Sequence, residues 1–374
     1  MNQRTCIVVT TINKGDILDG YCRQIEAEEV RDRVRIIVIP DRKTPSELYV
    51  KCAELAARGF DIRCPTIEEQ DGYLKKFPDL APLIPYDSEN RRNVGFLMAL
   101  ESGYEVLLSI DDDNYCTGET FTTCGLVCSD SLTMPAVHSD NGWINFCDML
   151  ELRPNTRVFP RGYPYARRTE TPVVSYSDET GRVRMNVGLW LDEPDLDAIT
   201  WLAAPVRALR FTADSCFLGQ DTWSPINTQN TALHRDLIVS YYCVRMGYPL
   251  GGMPIDRFGD IFSGYLSQAC IRHLGDRIPV GTPIADHKRN AHNYLRDLAG
   301  EFGGIQVLEP FIEWLHDVSL AGSSYPETYF ALADAIDAQV SHFTGAIWTD
   351  ATRGFFYQMT LCMRQWVKAC RSIS

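Results

Sequence analysis

The chain has 374 residues, of which 45% are hydrophobic and 23% charged, with a formal net charge of −13 at pH 7. These proportions are ordinary for a globular protein with one large domain or two smaller ones. The acidic balance argues against a dedicated nucleic-acid-binding protein, which would carry a basic surface. No apolar run reaches the roughly 18 residues that a membrane span needs.

The beginning of the sequence and its cysteines indicate the compartment. The chain enters a strand-like run at Cys6, without the charged, apolar and cleavage regions of a signal peptide. Its thirteen cysteines are scattered, and the nearest cluster, Cys116, Cys124 and Cys128, has no paired zinc-ligand spacing. We therefore expect a cytoplasmic protein whose cysteines are small apolar core residues in a reducing environment.

The first third of the chain predicts alternating strands and helices. Strands are predicted at 6–11, 34–39, 61–64 and 105–110, and helices at 17–29, 44–58 and 88–100. This alternation predicts an α/β fold with a mostly parallel sheet and right-handed crossovers. No Gly-x-Gly-x-x-Gly or Walker sequence occurs near the strand ends, so dinucleotide and P-loop sites are disfavoured.

The rest of the chain has a different texture. Residues 116–185 are rich in turns and aromatic residues, which indicates an acceptor-side subdomain with short strands at 144–146 and 173–176. Helical segments are predicted at 234–239, 257–273, 308–318, 326–343 and 350–371. No internal repeat or low-complexity segment interrupts this order.

Three consecutive aspartates, Asp111, Asp112 and Asp113, follow directly after the strand at 105–110. A parallel strand delivers its last residues to the sheet edge where ligands bind. Carboxylates this close together repel one another and favour a cation such as Mg²⁺ or Mn²⁺, shared with a substrate phosphate. We assign the first two to the nucleotide and the first and third to the metal, with Asp113 as the direct ligand. A solvated acidic turn is the alternative.

Other polar residues lie where neighbouring elements meet the same edge. Thr10, Thr11 and Asn13 end the first strand and are predicted to touch the nucleoside, and Asp41 ends the second, where it can accept from uracil or ribose. Arg92 lies in the helix before the aspartates, and a planar guanidinium suits a diphosphate. The alternatives are ordinary turn residues and a solvated helix charge.

Two further positions are candidates for chemistry on the sugar. Asp260 follows Gly259 at a predicted helix start, where the positive end of the helix favours a carboxylate that holds an acceptor or stabilises developing charge. An ordinary helix cap is the alternative. His287 ends an apolar run and is predicted as the third metal ligand, against the alternative of a structural histidine.

Six sequence blocks, taken in order, resemble the reversibly glycosylated polypeptides, the plant UDP-arabinopyranose mutase family. The first two blocks contain the aspartates and the segment before them, and the third is Arg-Gly-Tyr-Pro-Tyr, similar to the family's Arg-Gly-Tyr-Pro-Phe. The blocks are 87–96, 109–113, 161–165, 188–198, 230–238 and 253–264. The resemblance covers roughly residues 5–290.

The resemblance implies a GT-A fold, a UDP-sugar donor and Mn²⁺ or Mg²⁺. It also implies that Arg161 is the self-glycosylated position and that Arg168 is linked to activity. A guanidinium is a poor nucleophile because it stays protonated, so Arg161 is alternatively a clamp for phosphate or sugar.

The resemblance also implies a domain organisation. A GT-A nucleotide-sugar domain covers 1–295, with a nucleotide-binding half at 1–115 and a donor-sugar and acceptor half at 116–295. A C-terminal helical region covers 296–374.

Three functions remain open at this point. The first is a metal-dependent UDP-sugar mutase that interconverts ring forms, with or without self-glycosylation. The second is a conventional glycosyltransferase that moves the sugar to a separate carbohydrate or small-molecule acceptor, and the third is a non-catalytic, self-glycosylated primer or scaffold. The nucleotide sugar is the expected partner, nucleic acid is not, and the sequence leaves a homo-oligomer open.

Overall fold

The computed structural model describes residues 3–250 and 253–373. Within them, a mixed sheet of 13 strands carries helices on both faces, and two further strands, at 248–250 and 253–255, form a separate antiparallel pair. The strands are β1 Thr5–Thr11, β2 Val34–Pro40, β3 Asp61–Arg63, β4 Val106–Ile110, β5 Asn114–Cys116, β6 Leu132–Ser139, β7 Leu150–Arg153, β8 Val174–Gly181, β9 Met185–Asp192, β10 Arg207–Phe211, β11 Cys216–Leu218, β12 Asn230–His234, β13 Tyr248–Leu250, β14 Met253–Ile255 and β15 Pro279–His287. The helices are α1 Ile17–Ala27, α2 Glu47–Ala57, α3 Ile67–Leu74, α4 Arg92–Glu101, α5 Thr120–Cys124, α6 Ala198–Ala203, α7 Gly259–His273, α8 Tyr294–Asp317, α9 Tyr325–Val340 and α10 Asp350–Ile373.

The first four strands form the parallel half of the sheet, in the order β3-β2-β1-β4. Successive side chains of a strand point to opposite faces. Accordingly, Ile7 and Val9 of β1 pack in one core with α1 and α2, while Val8 packs in the other with α4. Gly95 lets α4 lie close to the sheet, because a Cβ there would be 2.5 Å from Val8 Cγ1. This half therefore delivers β1, β2 and β4 to one edge, as predicted.

The second half of the sheet pairs in both directions and brings a distant segment to that edge. β12 is antiparallel to β4, with Asn230 opposite Ile110, and β9 lies between β12 and β15. β15 also pairs antiparallel with β5, which sets His287 opposite Asn114. Strand register thus places His287 beside the aspartates.

The C-terminal helices pack on the same hydrophobic core as α4 and α7. Of the apolar stripe that the sequence predicts in α10, Phe355, Phe356, Met359 and Trp366 are buried, whereas Leu361 is exposed. Trp366 Nε1 donates to the Ile238 carbonyl at 2.9 Å. α8 begins 14 residues earlier than the predicted 308, at Tyr294, and includes the buried Glu301, which accepts from the Ala198 amide at 2.7 Å. Over the described part of the chain, no helix is long and apolar enough to cross a membrane.

Several local predictions differ from the structure. The strand predicted at 144–146 is wrong: a 3₁₀ turn occupies Phe146–Met149, because the Asn145 side chain accepts from the Cys147 amide and favours a turn. A short 3₁₀ helix, Arg235–Ser240, follows β12 where a helical segment was predicted. Ten of the thirteen cysteines are buried, as expected for core residues. The α/β class with a C-terminal helical extension is confirmed.

Candidate active site

Two adjoining clefts open at the carboxyl edge of the parallel strands. The strand-end cleft has a volume of about 270 Å³, and its polar lining comprises Thr10, Thr11, Asp41, Lys43, Asp87, Ser88, Glu89, Arg91 and Asp112. The charged cleft, of about 220 Å³, is lined by carboxylates, arginines and histidines, which are Glu89, Asp111, Asp113, Arg161, Asp195, Arg257, Asp260, His287, Arg289 and His292. The predicted nucleoside residues and the predicted sugar-side residues therefore occupy two neighbouring spaces.

The three aspartates point in three directions. Asp112 turns towards the end of β1, where its Oδ2 accepts from Thr11 Oγ1 at 2.5 Å and from Asn13 Nδ2 at 2.8 Å. Asp41 is buried at the end of β2, and its carboxylate accepts from the amides of Arg42 and Ser88 at 2.7 and 3.3 Å. Both carboxylates therefore shape the strand-end cleft.

Asp111 forms an ion pair with Arg92. Arg92 is buried and lines neither cleft. It also donates to Ser109 Oγ at 2.7 Å and to the Ile110 carbonyl at 2.9 Å. Burial raises the pKa of Asp111 to about 6, although Arg92 opposes the increase. Arg92 thus fixes the strand end and Asp111 instead of facing a diphosphate directly.

Asp113 turns towards the charged cleft and meets His287, with 3.5 Å between Oδ1 and Nε2. Burial lowers the pKa of His287, but the hydrogen bond and charge of Asp113 outweigh it, so that the pKa is raised overall. The pKa of Asp113 is lowered: burial raises it, but His287, Arg289 and the Asn290 amide together lower it by more. The two side chains are therefore a charge-stabilised pair when no cation lies between them.

Asp113 and His287 suit a divalent cation whose remaining ligands come from the substrate. In the described ranges, no three His, Cys, Asp or Glu side chains are gathered into a metal centre. Mg²⁺ is usually bound through only one or two carboxylates plus substrate phosphates, and Mn²⁺ accepts similar oxygen ligands. Asp113 and His287 supply one carboxylate and one imidazole in a cleft with space for a diphosphate. The donor set thus fits the predicted metal.

Arg161 is the centre of a buried ionic cluster, which we call the Arg161 cluster and which comprises Arg161, Asp195 and Asp260. Arg161 donates to the two oxygens of Asp195 at 3.0 and 3.1 Å and to those of Asp260 at 3.0 and 2.8 Å. A further N–H is bonded to the Arg257 carbonyl, so that all five donors of the guanidinium are used. Burial opposes the charge of Arg161, yet the two carboxylates raise its pKa well above the usual value.

Asp260 lies where the sequence predicted, in the first turn of α7. Arg168 does not join the cluster and lines neither cleft. It forms an ion pair of 2.6 Å with Asp197, the N-cap of α6, and lies over the Tyr165 ring at 3.6 Å. These contacts brace the loop after Arg161.

Five titratable residues of the charged cleft had no role assigned from the sequence: Glu89, Asp195, Arg257, Arg289 and His292. Asp195 lies in a block of the family resemblance, and Arg289 is two residues beyond His287 at the same strand end, so both had a signal. Glu89 and Arg257 also lie in blocks of the resemblance, 87–96 and 253–264, but neither was singled out, because a charged residue near a helix start is ordinary. Arg289 has a buried Nη1 without a hydrogen-bond partner, while its guanidinium lies 5.2 Å from the Trp201 ring.

Comparisons with known proteins point to one group of relatives. The probable UDP-arabinopyranose mutase 1 of Solanum tuberosum is 30% identical over 187 residues, which are 49% of this chain and 47% of that protein. UDP-arabinopyranose mutase 3 of Arabidopsis thaliana is 30% identical over 182 residues, 48% of this chain and 46% of that protein. The chain spans about half the length of the curated relatives it matches.

Solved structures are less similar. A mannosyltransferase from Pyrobaculum calidifontis in complex with GDP-Man and Mn²⁺ has a TM-score of 0.40 and 12% identity, over 100% of this chain and 87% of that one. Glucosyl-3-phosphoglycerate synthase from Mycobacterium tuberculosis, in complex with Mn²⁺ and UDP-Glc, has a TM-score of 0.39 and 12% identity, over 82% and 79%. Likeness this distant has no bearing on function.

The comparison with protein families covers nearly the whole chain. The sequence profile of the family described as reversibly glycosylated polypeptide matches residues 2–374. The match extends beyond residue 290, the approximate limit of the resemblance described from the sequence, and through the C-terminal helices. The chain belongs to the reversibly glycosylated polypeptide family.

Proposed function

We propose that this protein is a metal-dependent UDP-sugar mutase of GT-A type, which interconverts ring forms of the sugar while it remains a nucleotide sugar. The observation that carries the proposal is the junction of the two clefts. The Asp113–His287 pair and the Arg161 cluster lie on one side and the strand-end polar groups on the other. One nucleotide sugar can occupy both, with its diphosphate between them. The name UDP-arabinopyranose mutase, given to several relatives, supports the same reaction.

The strand-end cleft would hold the nucleoside. Asp41 and the Thr10 hydroxyl line it and can hydrogen-bond to ribose or base. Asp112 is already held by Thr11 and Asn13, so it reaches the ligand from a fixed position. Such preorganisation reduces the entropy lost on binding.

Asp113 and His287 would hold the cation. When bound, Mn²⁺ or Mg²⁺ would neutralise the charge that develops on the departing diphosphate. His287 must give up the proton on Nε2 before it can act as a ligand, since only neutral imidazole binds metal. Because Asp113 raises its pKa, protons compete with the cation at this position.

Ring interconversion consumes no acceptor. The bond from the anomeric carbon to the phosphate oxygen breaks with its electron pair on UDP. Another sugar hydroxyl then bonds to the anomeric carbon and loses its proton, while the former ring oxygen leaves that carbon and takes up a proton. The bond to UDP then forms again. Atoms and charge balance, and the product is an isomer of the substrate. Asp195 and Asp260 line the charged cleft and can orient the sugar hydroxyls.

We further propose that Arg161 orients these two carboxylates and does not carry the sugar. A nucleophilic guanidine must be neutral and must free a nitrogen. Arg161 has all five N–H groups donated and a raised pKa, and both features oppose that role.

The products formed from a panel of UDP-pentoses and UDP-hexoses with Mn²⁺ would test the proposal by anion-exchange chromatography. We expect a ring isomer of at least one substrate without any acceptor, and loss of that product with EDTA. Product that appears only when an acceptor is added would identify a glycosyltransferase instead. Stable mass addition to the intact protein without turnover would identify a self-glycosylated scaffold.

Replacing Arg289 by alanine should weaken UDP binding about 10- to 100-fold, because hydrogen bonds to charged groups are worth roughly 1.5–3 kcal/mol. The physical reason is the buried Nη1 that lacks a partner beside Asp113 and His287 and would find one in a diphosphate oxygen. Isothermal titration calorimetry with UDP and with uridine would measure the effect.

Uridine affinity should change little, since uridine has no phosphate. Arg63→Ala, at an exposed position of β3, is the matched control. Equal loss for uridine and UDP would mean that Arg289 only packs against Trp201.

A further inference from the structure

Glu89 occupies the boundary between the two clefts. Among the described residues that line them, it alone belongs to both. It begins the short turn Glu89–Arg91, which Ser88 caps, and so is fixed by the backbone in front of α4. A ligand that extends from the strand-end cleft into the charged cleft must therefore pass this side chain.

The carboxyl group of Glu89 has a buried oxygen, Oε1, that makes no hydrogen bond. It packs on the start of α7, where Gly259 makes room: a Cβ there would lie 2.5 Å from Oε1 and 2.4 Å from the Val244 carbonyl. An unsatisfied buried polar group costs about 1–3 kcal/mol. Such groups are rare in native structures, and a catalytic role or a bound ion is among the reasons for one.

Charges of both signs face Glu89 from the elements around it. Asp260 of α7 and Asp111 at the end of β4 repel a negative charge there, whereas Arg161 and Arg92 of α4 attract one. Burial is the largest influence, followed by Asp260, and the pKa of Glu89 is raised to about 8. At neutral pH the group therefore keeps its proton and has an O–H to donate.

Only the protonated form of Glu89 can donate a hydrogen bond to a diphosphate. Phosphate oxygens at neutral pH accept hydrogen bonds and cannot donate them, so an ionised Glu89 would repel the ligand and leave Oε1 unsatisfied. A neutral carboxyl group donates one hydrogen bond without adding charge. The chemistry of the ligand and the position of the side chain agree only for the protonated form.

We propose that Glu89 contacts the ligand and donates its carboxyl hydrogen to a phosphate oxygen of a nucleoside diphosphate that spans the two clefts. This inference rests on the proposed function and deepens it, since it assigns the diphosphate to the junction. An anionic ligand beside Glu89 favours the neutral carboxyl still further. UDP binding should therefore take up a proton when the pH is near or above the pKa of the free protein.

The test compares wild type with Glu89→Gln, which keeps the size of the side chain and a permanent N–H donor. UDP titrations at fixed Mg²⁺, from about pH 6.5 to about pH 9.5, cover both sides of the transition. Above about pH 8, wild-type affinity should fall by up to about tenfold per pH unit relative to the variant. Groups common to the two proteins titrate in both, so the ratio of their affinities isolates Glu89.

Two further measurements test proton uptake on UDP binding and the folding of each variant. Titrations near pH 8 in buffers of different ionisation enthalpy should show proton uptake in wild type that exceeds that of Glu89→Gln. Glu54→Gln, at an exposed position of α2, is the matched control and should follow wild type throughout. Thermal unfolding would confirm that each variant is folded.

Parallel pH profiles of UDP affinity for wild type and Glu89→Gln would overturn the inference, whether the affinities coincide or differ by a constant factor. A constant loss of affinity in the variant would mean that an ionised Glu89 accepts from a hydroxyl group. If wild type binds no UDP at any pH, the proposed function itself fails, and this is apparent before any variant is compared.

Discussion

Asp113→Ala is expected to abolish the metal-dependent part of UDP binding and to lower kcat/KM by about a thousandfold or more, because a Lewis-acid cation is worth several kcal/mol to the departing charge. Asp113 is the carboxylate that turns into the charged cleft, and it is 3.5 Å from His287. Without it the imidazole is the remaining member of the pair. The measurement is UDP affinity by calorimetry with Mn²⁺ and with EDTA, together with turnover.

The control is Asp214→Ala, at an exposed position outside both clefts. It should leave affinity and turnover unchanged. Wild type should lose affinity when EDTA is added, whereas Asp113→Ala should be weak with or without it. If UDP affinity is unaffected by both the substitution and EDTA, the assignment of the metal to this pair is wrong.

The pH dependence of metal binding has a defined sign. The pKa of His287 is raised, so its proton persists into a range above that of an ordinary histidine and competes with the cation. Mn²⁺ affinity should therefore increase as the pH rises through that range. The dependence should change in Asp113→Ala, because Asp113 is the group that raises the pKa. Electron paramagnetic resonance of free Mn²⁺ would report both affinities.

The parallel half of the fold was predictable because its signals are local. β1, β2 and β4 are short apolar runs that end in polar residues, and parallel strands place those ends together without any knowledge of distant contacts. Thr11 and Asp112 could thus be assigned to one edge although 101 positions separate them. The charged cleft has no such rule, since its side chains come from loops and from strands that pair in both directions.

Arg92 illustrates the limit of reasoning from charge. An arginine in a helix next to a predicted nucleotide site was expected to face a diphosphate. In the structure, every residue of α4 from Arg92 to Leu100 is buried, so the helix has no solvated face there. A buried guanidinium needs carboxylate and carbonyl partners, and Arg92 finds them in Asp111 and Ile110. The tertiary position of a helix is not contained in its own sequence.

Arg161→Met is expected to destabilise the protein by about 3–5 kcal/mol, since it removes one partner of a buried ion pair and leaves uncompensated charge. Arg161 and Asp195 are 6% and 3% exposed, respectively, and Asp260 is 3% exposed. Two carboxylates lose their shared cation at once. The urea concentration at the midpoint of unfolding, at constant slope, would give the change in free energy of unfolding.

The matched control is Arg210→Met. Arg210 forms an ion pair with Glu151 at the surface, with side chains 73% and 42% exposed. Exposed pairs contribute about 0–1 kcal/mol, so the same substitution should have little effect there. A similar loss in both variants would mean that the Arg161 cluster stabilises the fold no more than a surface ion pair does.

The contribution of Asp195 to stability should depend on pH with opposite signs in wild type and in Arg161→Met. In wild type, burial raises the pKa of Asp195 but Arg161 and Asn227 lower it by more, so its stabilising contribution is present at neutral pH and lost as the pH falls through the lowered pKa. In Arg161→Met, burial acts without the arginine and raises the pKa of this carboxyl. In the variant, this carboxyl should then favour the folded state most at acid pH, and its contribution should be lost as the pH rises through the raised value.

Intact-mass analysis of wild type and Arg161→Met distinguishes an Arg161 that orients Asp195 and Asp260 from an Arg161 that carries the sugar covalently. If Arg161 orients Asp195 and Asp260, wild type incubated with UDP-sugar and Mn²⁺ should gain no sugar mass at that position, and the variant should lose turnover through the displaced carboxylates. A sugar adduct mapped to Arg161 would overturn this assignment, because it requires a guanidine nitrogen that is neutral and free. In the structure all five N–H groups of Arg161 donate hydrogen bonds, so such an adduct would require the whole cluster to open first.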